Sequence, residues 1–212
     1  MTPLRRCSRP SPGREHERYE GRTYAEEPHS SNGNGRDVAH RDCLSFFGTD
    51  AAASQALYFA DTVDPAAAIK SIAVDITMHE PARFVARQVT AAGQPAWLYR
   101  FDYVAESLRP KGTAEHSSEL PYLFGTLDVR YGAAVTAKDR AMADTFMGYF
   151  AAFAKTGDPN RSDLPSWPRY DAAKSELMMF TADDGAVMQV DPWKDRLDLI
   201  QRAIEAQAAQ PQ

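Results

Sequence analysis

Two cysteines, Cys7 and Cys43, are all that 212 residues carry. They are too few for a disulfide framework and neither lies in a C-x-x-C pair, which leaves a single Cys7–Cys43 bond as the one pairing open to them. No stretch approaches the ~18 apolar residues of a membrane span. Arg5 and Arg6 are not followed by an apolar run, so the N-terminus does not read as a secretory signal peptide. Basic residues do not dominate: 24 Lys+Arg stand against 29 Asp+Glu, for a net charge of −5. Nucleic-acid binding needs a basic face and is not expected as the main role. Histidine is scarce as well. His16, His29 and His40 are scattered without ligand spacing, and His79-Glu80 before Pro81 reads as a helix junction, so no metal site is expected. Asp75 reads as a structural polar contact whose partner the sequence does not reveal.

Lysine is missing from the first part of the chain; the first is Lys70. Residues 1–50 carry eight arginines and eight acids, with few apolar side chains. Pro10, Pro12, Gly13 and the run from Ser30 to Gly35 break any periodicity. Ordering costs about 1–2 kcal/mol per residue, and this composition offers little burial to offset it. Residues 1–50 therefore read as a poorly ordered leader, in which only Leu44, Phe46 and Phe47 could dock.

From about residue 51 the texture is that of a folded protein, with a hydrophobic content of 43% for the whole chain. Asp64-Pro65 starts a helix that runs on to Val74. Pro81 opens another, with Ala82, Val85, Ala86 and Val89 on one face and Gly93 as its C-cap. Residues 96–103 alternate as a strand, with Trp97, Tyr99, Phe101 and Tyr103 on one side. Thr136 and Asp139 have capping-box spacing. The helix after them carries a core stripe of Met142, Phe146, Tyr149, Phe150 and Phe153. Leu177–Phe180 and Val187–Val190 flank a hairpin signal at Asp183-Asp184-Gly185. Asp191-Pro192 starts a last helix through Leu197, Ile200 and Ile204, and residues 207–212 form a polar tail. One long strand cannot make a sheet. The pattern reads as part of an α/β domain.

His116 is the one histidine in a loop directly downstream of a strand, with Glu119 three residues on. A loop histidine past a strand end suits a general base, since its free pKa of about 6.5 lets it take and return a proton near neutrality. An ordinary loop histidine has the same sequence appearance.

The stretch from Glu115 to Gly125, EHSSELPYLFG, resembles the catalytic-histidine motif of type B carboxylesterases, roughly H-G-x-E-[LI]-x-[FY]-[VL]-F-G. Other segments are similar to that family in the same order: PAWLYRFDY at 95–103, GYFAAFAKTGDPN at 148–160, and Trp167-Pro168-Arg169-Tyr170. The resemblance covers about residues 54–206. It implies the C-terminal portion of an α/β-hydrolase fold, with an incomplete sheet and flanking helices over 51–206. It also implies hydrolysis of a carboxylic ester through an acyl-serine intermediate, without metal or cofactor. In that chemistry His116 is the triad histidine and Glu119 belongs to its supporting polar network. Ser117 stands where the family pattern has glycine, which puts the loop backbone in question. No G-x-S-x-G occurs, because none of the seven glycines after residue 50 frames a serine. The alternative is a truncated, non-catalytic chain, or one acting only with a separate serine-bearing fragment. Missing strands would leave Trp97, Tyr99 and Phe101 uncovered and favour self-association.

Overall fold

The computed structural model describes residues 41–59, 64–109 and 112–209. Cys7, His16, His29, His40 and the run from Ser30 to Gly35 lie outside the described residues. The chain divides into two compact units. One comprises the chain up to Pro81 with Asp195 onward, and the other Ala82–Lys194.

The first unit is helical. Residues 41–45 are helical, a 3-10 turn spans Gly48–Asp50, and α1 (Ala51–Phe59) and α2 (Pro65–Val74) follow. Residues 41–50, expected as the end of a poorly ordered leader, therefore carry secondary structure. The reason is burial: Cys43 and Phe47 pack with Tyr58, Ala68 and Ile72 in one core. Phe47 and Tyr58 rings lie 6.1 Å apart. The helix start expected at Asp64 is present, its carboxylate accepting the Ala66 N–H at 3.0 Å. Leu199, Ile200 and Ala203 close this core from α7 (Lys194–Ala208), which begins in the second unit. That helix runs into the segment expected as a polar tail, and Ile204, expected on its apolar stripe, is exposed.

Pro81 is not a helix start. A π-helical turn, Asp75–His79, joins α2 to α3 (Glu80–Ala91), and Pro81 is the second residue of α3. A proline inside a helix lacks a donor and crowds the carbonyl four residues back. A widened turn just before it relieves both problems. The buried face of α3 also differs from the expected one. Arg83 and Ala86 are buried, whereas Phe84 and Val85 are exposed. The Arg83 guanidinium donates to the Lys194 carbonyl at 3.3 Å.

The second unit holds the sheet, in the order β1-β2-β3. β1 (Tyr99–Phe101) pairs in parallel with β2 (Glu176–Thr181), in the register Tyr99↔Met178. β2 pairs antiparallel with β3 (Gly185–Val190), closing at Thr181↔Gly185 as the hairpin signal required. The 96–103 strand is thus three residues long by its ladder. The Asp102 N–H donates to the Phe180 carbonyl and the Leu98 carbonyl accepts from Met178, lengthening the pairing slightly.

Two short helices, α4 (Leu120–Leu123) and α5 (Leu127–Tyr131), precede α6 (Ala137–Thr156). Thr136 and Asp139 make the capping box at the start of α6, and Gly157 ends it at φ 76°, a left-handed value that suits glycine. Phe146 and Tyr149 of α6 are fully buried against Met178 and Phe180 of β2. Each such ring contributes roughly 1.5–3 kcal/mol by leaving water. Tyr99 and Phe101 pack edge-on or tilted against Phe146, with centroids 5.6 and 4.9 Å away. They are half-buried rather than uncovered. Phe153, at the far end of the stripe, is exposed.

Candidate active site

The loop that carries His116 leaves β1 and is tied down early. Tyr103, two residues past β1, donates its hydroxyl to Asp139 Oδ1 at 2.9 Å. The Glu106 N–H reaches the same oxygen at 3.2 Å. The second oxygen of Asp139 accepts the Thr136 N–H at 2.9 Å and the Thr136 hydroxyl at 3.0 Å. One fully buried carboxylate thus holds both the first turn of α6 and residues 103–106. Burial pushes its pKa up. Hydrogen bonds from the Thr136 N–H, the Tyr103 hydroxyl, the Glu106 N–H and the Thr136 hydroxyl outweigh that and hold it below the usual aspartate value. Tyr103 moves the other way: burial first, then its bond to Asp139, raise its hydroxyl well above the ordinary range. Arg109 lies over the Tyr103 ring at 5.4 Å and donates from Nε to the Val104 carbonyl at 3.2 Å.

Sequence reasoning found Asp139 as a cap and missed it as the anchor of the histidine loop. Its spacing to Thr136 signals the cap, but nothing local announces a tyrosine 36 residues upstream.

His116 opens a turn over 116–119 that runs into α4. The Ser118 N–H donates to the Glu115 carbonyl at 3.1 Å, and the Glu119 carbonyl accepts from Tyr122 at 3.0 Å and from Leu123 at 2.9 Å. His116 is exposed. Ser117 takes φ 65°, so the glycine-like conformation is kept although the residue is serine. The left-handed residue follows the histidine directly, and three residues after Glu119 α4 buries Tyr122. His116 and Glu119 share this turn, with no hydrogen bond between them among the described residues. Burial, and then the negative charge of Glu119, raise the Tyr99 hydroxyl above its ordinary value.

A cleft of about 300 Å³ opens beside the loop, with His116, Ser117, Ser118, Leu108, Tyr103 and Arg130 among its lining residues. No group of three or more His, Cys, Asp and Glu is gathered for a metal among the described residues. Among them, too, no helix is long and apolar enough to cross a membrane. Cys43 is buried. Asp75 and His79 belong to the first unit.

The sequence model described as "Carboxylesterase family" matches residues 46–196. The chain belongs to that family. Carboxylesterase 1D of Rattus norvegicus is 31% identical over 136 residues, covering 61% of this chain and 24% of that protein. Carboxylesterase 5A of Canis lupus familiaris is 30% identical over 138 residues, covering 59% of this chain and 24% of that one. The crystal structure of Geobacillus stearothermophilus carboxylesterase EST55 at pH 6.2 superposes with a TM-score of 0.53 at 25% identity. It covers 76% of this chain and 31% of its own. The chain therefore spans about a quarter of the length of the relatives it matches, and its three-stranded sheet with helices is part of a carboxylesterase α/β-hydrolase fold. Within that fold, two further segments that carry the family resemblance have structural work. The Asn160 side chain clamps the Trp167 backbone, accepting its N–H at 2.7 Å and donating to its carbonyl at 2.9 Å. Trp97 donates its indole N–H to the same carbonyl at 3.1 Å.

Proposed function

We propose that this carboxylesterase chain carries the histidine of a serine-esterase triad, His116, and that its substrate class is carboxylic esters. The observation that carries the reading is an exposed histidine on an anchored loop past β1, facing a cleft and followed by a left-handed residue. In the proposed reaction His116 takes the proton of the attacking serine hydroxyl and delivers it to the departing alkoxide, which leaves as alcohol. It then takes a proton from water as hydroxide attacks the acyl-serine, and returns it to the serine as the acid departs. Glu119 is proposed as a positioning residue. Its negative charge lies in the same turn and biases the polar surroundings of the imidazole.

The nucleophile is not in this sequence as a G-x-S-x-G elbow. Ser117 and Ser118 adjoin the histidine, but adjacency does not build the strained strand-to-helix turn that exposes a nucleophile. The oxyanion-hole donors accompany that elbow. The reading therefore assigns the serine and the oxyanion hole to the portion of the fold that this sequence does not span. Absence of the elbow also favours a second reading, in which the isolated chain is non-catalytic.

Hydrolysis of p-nitrophenyl butyrate tests both. The purified chain is assayed alone and after co-expression with a carboxylesterase fragment bearing G-x-S-x-G. The expected result is no rate alone and a rate in the pair that His116→Ala abolishes, since loss of a triad histidine costs on the order of 10⁶ in turnover. No rate in the pair overturns the esterase reading. A rate from the chain alone that His116→Ala removes overturns the non-catalytic one. Self-association is proposed on separate grounds: Leu120, Phe124 and Val129 expose apolar surface on α4, α5 and the turn between them. Sedimentation that shows only monomer at every concentration would remove that proposal.

A further inference from the structure

The cleft beside His116 combines three features that the triad chemistry does not use. Its walls include apolar surface from Val104, Leu108, Pro121 and Tyr131. Arg130 lines it and lies over the Tyr131 ring at 6.0 Å, with no carboxylate in salt-bridge range among the described residues. Ser118 lines it too, and its hydroxyl is turned into the protein, buried without a hydrogen-bond partner among the described residues. A buried hydroxyl left unpaired is a standing energetic deficit, and turning a serine about χ1 breaks no bond when none is made. Glu115 also lines the cleft, so its charge opposes a multiply charged anion.

We propose that this cleft binds a short-chain monocarboxylate. The carboxylate meets the Arg130 guanidinium and the rotated Ser118 hydroxyl, and the alkyl chain lies on Leu108, Val104 and Pro121. The Arg130 guanidinium, without a carboxylate partner among the described residues, suits a single negative charge. Apolar walls favour an alkyl acid over an inorganic anion. The volume is at the small end of ligand sites, which fits an acid of a few carbons. That this acid belongs to the same class as the product of ester hydrolysis rests on the reading of His116 above. In that case the site holds the released acid next to the residue that expelled it.

The test needs no turnover. The full ¹⁵N-labelled chain is titrated with butyrate, and with butanol and inorganic phosphate as the neutral and non-alkyl comparisons. Butyrate is expected to shift the amides of Ser118 and Tyr131 with a millimolar Kd, as suits so few heavy atoms. Arg130→Gln should weaken it on the order of tenfold by removing a charge-assisted contact. Leu108→Trp, at a partly exposed wall position, should abolish it by filling the cleft. Absence of shifts overturns the proposal, as does equal binding of butanol or phosphate, or an Arg130→Gln variant that binds unchanged. Failure here alongside a His116-dependent rate in the reconstituted pair removes the cleft and spares the esterase reading. Butyrate binding without any reconstituted rate does the reverse.

Discussion

Asp75 and Asp139, one in each unit, are fully buried, and the two are satisfied in opposite ways. Asp75, in the helical unit, is met by charge. Arg196 Nη2 lies 3.0 Å from one oxygen and 3.2 Å from the other, and His79 Nδ1 lies 2.7 Å from Oδ1. The Tyr58 hydroxyl adds a bond at 2.7 Å. Asp139, in the sheet-bearing unit, has no cation in salt-bridge range among the described residues. It is met by two backbone N–H groups, two hydroxyls and the positive end of α6. A buried ion pair holds its position only while both partners stay, whereas a set of neutral donors loses strength a bond at a time. Asp75 joins α1, the π turn and α7, so it fastens packing. Asp139 joins a helix cap to the loop that carries His116, so it fastens a site.

The largest effect should come from breaking the charged cluster. Asp75→Asn leaves the Arg196 guanidinium beside a buried neutral amide, and the expected loss is about 3 kcal/mol, read as a lower urea midpoint in far-ultraviolet circular dichroism. Asp139→Asn should cost less, about 2 kcal/mol, because the amide keeps one acceptor for the Tyr103 hydroxyl or the Thr136 N–H. A larger loss at Asp139 than at Asp75 would break the contrast between charge and neutral donors.

Acid sharpens it further. The folded pKa of Asp139 is depressed, so its contribution is complete above the ordinary aspartate value of about 3.9 and disappears as pH falls through the lower folded value. The wild-type chain should lose stability over that acid window, and Asp139→Asn should show a shallower acid limb in the same melts. An identical limb in the variant means the hydrogen bonds do not hold the carboxylate down. Thr136→Ala is milder at neutral pH. It removes one cap acceptor and one hydroxyl donor but keeps the backbone bond, for a loss of about 1 kcal/mol by thermal melting.

How much of this was legible depended on the range of the interaction. The α6 cap, the hairpin at 183–185, the start of α2 and the His116 motif are written within a few residues, and the sequence displayed them. The two short helices after His116 and the π turn before Pro81 were not displayed, because a four-residue helix has no period to read. The face of α3 was misread for a related reason. Periodicity counts apolar residues, and it gives no sign that Arg83 is buried and donates to the Lys194 carbonyl 111 residues away. Asp75 stood as a polar residue of unknown purpose until the fold brought Arg196 from 121 residues further along the chain. The candidate site divides in the same way. Its histidine is local and readable, and the carboxylate that anchors its loop is not.

The smallest expected effect concerns the backbone beside that histidine. Ser117 holds φ 65°, where a β-carbon crowds the backbone and glycine fits without strain. Ser117→Gly removes a penalty of about 1–2 kcal/mol from the folded chain but also loosens the unfolded one, which takes back about 0.4–1 kcal/mol. The balance is a gain of roughly 0.5–1 kcal/mol, a slightly raised midpoint. Ser117→Val, branched at the same carbon, should move it the opposite way. A destabilised glycine variant would mean that the serine side chain earns its place through a contact that outweighs the strain. In that event the loop around His116 is held by residue 117 as well as by Asp139. A stabilised one leaves Asp139 as the main anchor, and the left-handed turn is then a property of the fold that serine merely tolerates.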